Sequence, residues 1–385
     1  MKIAYLIPGM YNSGGLERVI TTMSDYLIDR YGCEIYIITT DQRNCDFYYP
    51  ISPKVKHIDL DINFYNRKDG SVALKFIKRF YQRNLYKRKL SGELNRIKVD
   101  FTITMFSIDI DFLHTLKDGS RKIGNMQFFK DFRTHQIKVS SQNKVLHWIG
   151  NWRTRTLLEN SKQLSSIVVM TKQDMEAWKG INDLVLIPNP LPFTASRLSP
   201  LKEKTAISVG RLSKEKGYDL LIEAWSIVAE KYPDWILNIY GEGPERVNLE
   251  KQIKKYNLEK NIFLKGATSD VQNKYQESSF FISSSRYEGF GIVIIEAMSC
   301  GLPVIAFDCG NGPSDIIENN IDGYLVEKGD IRALAHKVFA LIENEGTKKE
   351  MSINALKKAS NYSVEKIMRQ WMDLFEELIQ KGYKQ

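Results

Sequence analysis

Cysteine is scarce in this chain: Cys33, Cys45, Cys300 and Cys309 are the four among 385 residues, with no close metal-binding spacing. They read as reduced, buried or incidental thiols of a cytoplasmic protein. The five histidines are scattered singly, which argues against a zinc site. No metal and no cofactor is expected. Long apolar runs are also missing, and none approaches the roughly 18–20 residues that cross a bilayer. The opening MKIAYLIPGM is apolar but short and ends in Pro8-Gly9. It reads as a buried first strand, not as a secretion signal.

What is present is ordinary for a globular protein, 43% apolar and 26% charged residues. A chain of 385 residues exceeds one ordinary core and suits two domains. The net charge of +9 is local. Residues 67–98 hold eleven Lys/Arg against two Asp/Glu, so this block carries the whole excess. A uniformly basic protein would suggest nucleic acid, whereas one basic block suggests one docking surface and no nucleic-acid partner.

Short β-branched runs alternate with helical patterns throughout. KIAYLIP, EIYIITT, FTITMF and SIVVMT are strand-like, and ERVITTMSDYLIDRY shows helical periodicity. This is the pattern of a parallel sheet with crossover helices. It stumbles at IPNPLPF, residues 187–193, where three prolines in seven residues fit neither helix nor inner strand. The alternation then resumes with TAISVG, WILNIYG, NIFLKG, SFFISSS and PVIAF. The reading is α/β with two Rossmann-like domains facing a central cleft, residues 1–187 and 188–364, joined by a hinge. A last helix at about 365–385 is expected to pack back on the first domain. Ligands of such sheets sit beyond the carboxyl ends of the strands, so the loops after the strands carry the function.

Four such loops stand out. In SVGRLSKEKG, residues 208–217, Arg211 and Lys216 bracket a turn that enters a helix near Tyr218. Two cations beside a helix N-terminus suit a diphosphate, although solvated loop charges would look the same in sequence. In RYEGFGIVIIEAMSCGLP, residues 286–303, Gly289 and Gly291 allow a tight turn before a helix of about 291–300. Glu296 falls in its second turn. A buried carboxylate is costly without partners, and a ribose diol would supply them. Glu288, at the mouth, can hold hydroxyls of a sugar beyond the phosphates. PGMYNSGGLERVI, residues 8–20, places Gly14-Gly15 between a strand and a helix but matches neither GxGxxG nor a Walker motif. YGEGPE, residues 240–245, lacks a third glycine and reads as a turn into a helix.

Together these residues resemble the family-4 retaining glycosyltransferases (glycosyl transferases group 1) of GT-B fold. The resemblance spans nearly the whole chain and is densest from Ser208 to Asp330, in GRLSKEKG, Glu288-x7-Glu296, EAMSCGLPVIAFD, GNGPSDII and GYLVEKGD. It implies an acceptor-binding N-terminal domain and a C-terminal domain that holds a nucleotide sugar. Arg211 and Lys216 would hold the diphosphate and Glu296 the ribose. Glu288, with Gly289, Phe290, Gly291, Ile292 and Val293, would meet the donor sugar and its phosphate. Gly14 and Gly15 would approach the donor from the other domain. Glu288, Arg211 and Lys216 would be the catalytic group. Where the family often has a histidine facing the donor sugar, after the strand in KIGNMQFF, this chain has Gln127, which can hydrogen-bond a hydroxyl but not move a proton. His135 lies nearby but out of register.

The resemblance further implies transfer of a hexose or N-acetylhexosamine to a glycan acceptor, on lipid, in capsule or O-antigen assembly. UDP is the preferred nucleotide, with GDP open. The D-x-D at Asp109–Asp111 sits in an apolar passage and reads as coincidence. The basic block mixes its cations with Phe76, Phe80, Tyr81 and Tyr86, which suits the inner leaflet of an anionic membrane, or a solvated helix with its aromatics in the core. A sugar-nucleotide epimerase of the same fold, and a non-catalytic sensor or scaffold, are the alternatives.

Overall fold

The computed structural model describes residues 1–64, 72–127, 144–181 and 183–382. Residues 67–71 of the basic block and His135 lie outside the described residues, as do the side chains of 72–77, Phe76 among them. The chain divides into two compact units, Met1–Pro190 with Ile367–Gln385, and Leu191–Lys366.

The first unit is built on β1 (Lys2–Ile7), β2 (Glu34–Thr39), β3 (Lys56–Asp59), β4 (Phe101–Thr104), β5 (Arg121–Asn125), β6 (Ser166–Val169) and β7 (Leu184–Leu186). Its described strands run parallel in the order β3-β2-β1-β4-β5-β6-β7. Strands covered on both faces need apolar residues at every position. β1 meets that demand, with Ile3 through Ile7 all buried. In register, Ile3 lies between Ile35 and Phe101.

The second unit contains β8 (Thr205–Val209), β9 (Ile236–Tyr240), β10 (Ile262–Gly266), β11 (Phe280–Ser283), β12 (Val304–Asp308) and β13 (Gly323–Glu327). The order is β10-β9-β8-β11-β12-β13, again parallel. Trp225 and Trp235 anchor the core beneath it, and Trp235 stacks on Phe280 with ring centroids 5.3 Å apart. In both sheets the direction of winding reverses beside the first strand, between β1 and β4 and between β8 and β11. Such a switch point opens a crevice at the carboxyl ends of those two strands.

The helix Val364–Gly382 buries Ile367, Met368, Trp371, Leu374, Phe375 and Leu378, a single apolar face at helical spacing. It packs on the first unit, where Phe375 lies 4.6 Å from the Phe101 ring and Arg121 Nε donates to the Leu378 carbonyl at 2.8 Å. Lys381 closes the contact on Asp183.

The basic segment forms the helix Val72–Ile97. Gln82, Tyr86, Leu90, Leu94 and Ile97 face the core, while Phe80 and Tyr81 are 64% and 66% exposed. The aromatics expected to act together are therefore split, Tyr86 inward and Phe80 and Tyr81 outward. Among the described residues no helix is long and apolar enough to cross a membrane.

Candidate active site

β8 ends at Val209, and the next residues form a loop that closes in a short 3-10 turn, Lys214–Lys216. Gly217 (φ +63°) ends that turn and starts the helix Tyr218–Lys231. A Cβ at Gly217 would lie 2.1 Å from the Ser284 carbonyl oxygen, so only glycine lets the two loops meet this closely. Arg211 is exposed and Lys216 half-buried.

β11 supplies the facing loop. Its strand stops at Ser283, and Gly291 (φ +91°) precedes the helix Ile292–Ser299. Gly291, and not Gly289, is the left-handed residue of this turn. Glu296 lies in the second helical turn, 1% exposed, and accepts a hydrogen bond from the Tyr275 hydroxyl at 3.0 Å.

The two loops are laced together. Lys216 Nζ lies 2.6 Å from Glu288 Oε1, and Ser285 Oγ donates to the same oxygen at 2.6 Å. Arg286 pairs with Asp219 through two contacts of 2.6 Å, and its backbone N–H donates to the Glu215 carbonyl at 2.7 Å. Burial pushes the Asp219 carboxyl up, but the Arg286 hydrogen bonds and charge outweigh it and the net shift is down. Ser284 Oγ donates to the Lys216 carbonyl at 2.9 Å.

The field of Glu288 reaches its neighbours. Burial, then the Glu288 charge, push the Cys309 thiol up to about 12. Burial likewise raises the Tyr218 phenol, with Glu288 adding to the effect and a hydrogen bond with Ser208 opposing it. The result is a switch point of one unit, furnished with a lysine and a carboxylate already in contact, and with a second carboxylate, Glu296, buried on the helix that follows the Glu288 loop. An anion and a polyhydroxyl compound are the chemistry it fits.

Residues 193–358 match the family described as Glycosyl transferases group 1. This stretch is a glycosyltransferase domain. Along nearly all of its length the chain is similar to an uncharacterized glycosyltransferase of Haemophilus influenzae, 29% identical over 381 residues, or 96% of this chain and 98% of that one. It is 34% identical over 226 residues to a poly(ribitol-phosphate) alpha-N-acetylglucosaminyltransferase of Staphylococcus aureus, a match that covers 57% of this chain and 45% of the relative. A solved structure of S. aureus TarM, with UDP among its ligands, superposes with a TM-score of 0.75 at 19% identity, covering 97% of this chain and 99% of that one. That likeness is one of fold, and the two parallel-sheet units are the GT-B pair.

Within the glycosyltransferase domain, Arg211, Lys216, Glu288, Gly289, Phe290, Gly291, Ile292, Val293 and Glu296 all lie on the loops and helix starts that follow β8 and β11. YGEGPE serves the same place from behind. Leu212 N–H donates to the Glu242 carbonyl at 3.0 Å, and Glu245 N–H donates to the Leu212 carbonyl at 3.0 Å, before the helix Arg246–Lys255 begins.

In the first unit, Gly14 precedes the helix Gly15–Tyr31, after β1 and thus at that sheet's switch point. A side chain at Gly14 would collide with Glu17, whose Oε2 lies 2.2 Å from the Cβ position. Glu17 is buried and accepts from Asn12 Nδ2 at 3.3 Å. The helix start thus already has a carboxylate beside it. Gln127 lies two residues beyond β5 and is buried. Its Nε2 donates to Asn125 Oδ1 (2.9 Å) and Asn189 Oδ1 (3.1 Å), and Asn189 Nδ2 donates back to Gln127 Oε1 (2.9 Å). The Gln127 amide is thus clasped to Asn189 of the proline-rich segment. Asp109 is fully buried and Asp111 exposed, on the turn Ile108–Asp111, so the D-x-D pair stands in two different environments.

Sequence reasoning passed over Ser285, Arg286, Asp219 and Tyr275. Arg286 opens the quoted RYEGFG motif and Ser285 ends SFFISSS just before it, yet their partners are set by the meeting of two loops. Tyr275 carries no local signal at all.

Proposed function

We propose that this glycosyltransferase is a family-4 enzyme that moves a hexose or N-acetylhexosamine, with retention of configuration, from a UDP-sugar to a lipid-linked glycan in surface-polysaccharide assembly, such as capsule or O-antigen. The observation that carries the proposal is the Lys216–Glu288 contact of 2.6 Å at the β8/β11 switch point. It sets a phosphate-binding cation beside a sugar-binding carboxylate. The names of the relatives support the polymer acceptor, and the UDP in the TarM structure supports the nucleotide. On this reading the second unit holds the nucleotide sugar and the first takes the acceptor.

The acceptor hydroxyl attacks the anomeric carbon from the face on which the diphosphate departs. The bond from that carbon to the diphosphate oxygen breaks, the bond to the acceptor oxygen forms, and the hydroxyl proton passes to the leaving phosphate. Charge grows on that phosphate, where Arg211, Lys216 and the first N–H groups of the helix Ile292–Ser299 stabilise it. These groups are the charge carriers of the proposal, with no metal called for. Lys216 shifts from Glu288 to the phosphate as the donor enters, and Glu288 then takes hydroxyls of the transferred sugar. Glu296 accepts from the ribose diol.

The test is product analysis. UDP-sugars are supplied with and without a lipid-linked acceptor, and the anomeric configuration of the product is read by proton NMR. Retention, with turnover only when acceptor is present, is expected. Inversion, or conversion of the donor alone, contradicts the proposal.

The helix Val72–Ile97 is proposed to dock on the cytoplasmic face of an anionic membrane, through its cations and the exposed Phe80 and Tyr81. Replacing Lys78, Arg79, Lys87 and Arg88 with Gln should abolish co-sedimentation with phosphatidylglycerol vesicles. Unchanged binding contradicts the docking.

A further inference from the structure

We infer that Tyr275 is the positioning residue that fixes the Glu296 carboxylate for reading a ribose diol. The inference rests on the proposal that Glu296 reads the ribose. Glu296 is 1% exposed and Tyr275 fully buried. A carboxylate at that depth needs hydrogen-bond donors, and the Tyr275 hydroxyl donates to Oε2 at 3.0 Å.

A glutamate side chain has several rotatable bonds, and a vicinal diol is read well only if the carboxylate plane is held still. Tying down one oxygen removes most of that freedom. Tyr275 is itself held. It sits near the end of the helix Val271–Gln276, with its ring edge-on to Phe281 of β11 at 6.0 Å. Its neighbour Gln276 accepts from Arg197 Nε at 2.8 Å, which pins the helix end. Tyr275 thus rests on the strand that leads into the Glu288 loop and reaches the helix that follows it. It acts through Glu296, and it explains how a residue 21 positions upstream takes part in nucleotide selection.

The experiment compares UDP with 2′-deoxy-UDP by calorimetry on the full-length protein, in the wild type, Tyr275→Phe and Glu296→Gln. Tyr275→Phe keeps the ring and removes only the donor. The wild type should prefer UDP, and Tyr275→Phe should shrink that preference by about three- to tenfold, mostly through weaker UDP binding. Glu296→Gln should remove it. A core role alone would lower thermal stability and leave the ratio unchanged. If Glu296→Gln removes the preference but Tyr275→Phe retains it in full, the positioning role is overturned and the ribose reading stands. If Glu296→Gln retains the preference, the ribose reading fails and this inference with it. Should UDP not bind, GDP and 2′-deoxy-GDP are measured in the same way, and failure of both nucleotides overturns both statements.

Discussion

Lys216 Nζ and Glu288 Oε1 meet at 2.6 Å although 72 residues separate them in sequence. The side chains are 22% and 9% exposed, so water screens the contact only in part. Double-mutant unfolding with Lys216→Met and Glu288→Gln should give a coupling of about 0.5–3 kcal/mol. Strict additivity would mean that the contact is incidental. In turnover, Glu288→Gln should lower kcat by about a hundredfold or more, since this carboxylate is proposed to meet the transferred sugar.

Gln127 and Asn189 satisfy one another in a buried site. Gln127→Ala leaves the Asn189 amide short of its partner and should cost about 1–3 kcal/mol in denaturant unfolding. A loss below a few tenths of a kcal/mol would show that water replaces the amide without penalty.

Phe375 is fully buried against Phe101 and Trp371. Phe375→Ala should destabilise the first unit by about 3–5 kcal/mol, read as the shift of its unfolding transition. A wild-type transition would mean that the helix Val364–Gly382 contributes little to that unit.

Burial raises the Glu17 carboxyl above its ordinary value of 4.5, against the lowering pull of its own backbone N–H and of Asn12. The folded protein therefore holds this proton more tightly than the unfolded chain. Its contribution to stability is lost as pH rises from the ordinary value through the raised one. Glu17→Gln should flatten the stability-versus-pH curve in that interval. A curve of unchanged slope would contradict the shift.

Much of the fold was legible because parallel strands buried on both faces must be apolar throughout. β1, β2, β4, β6, β8, β11 and β12, buried along most of their length, announce themselves in this way, whereas β9 alternates and β10, at the sheet edge, has only Ile262 buried. β3 and β7 do not. Lys56 and His57 of β3 are exposed at a sheet edge, and β7 has three half-buried residues. The strand order could not be read either, since the alternation does not say where winding reverses. Within the basic helix, Tyr86 is joined by Leu90 and Leu94 at four-residue steps, which marks the core face. Phe80 and Tyr81 fall off that stripe, a distinction that periodicity contains and composition hides.

At the site, the residue types and their spacing were visible along the chain. What was not visible is what touches what. Tyr275 on Glu296, Ser285 on Glu288 and Asn189 on Gln127 are tertiary contacts, and a tyrosine that precedes a strand looks like any core aromatic until its hydroxyl finds a carboxylate.

The most direct test of the account is calorimetric binding of UDP, GDP, ADP and CMP to the wild type and to Lys216→Ala. The account predicts that one nucleotide, UDP, binds well ahead of the others, and that Lys216→Ala weakens it by about tenfold or more. Absence of binding by all four, or equal binding by the wild type and the variant, would contradict the β8/β11 crevice as the donor site.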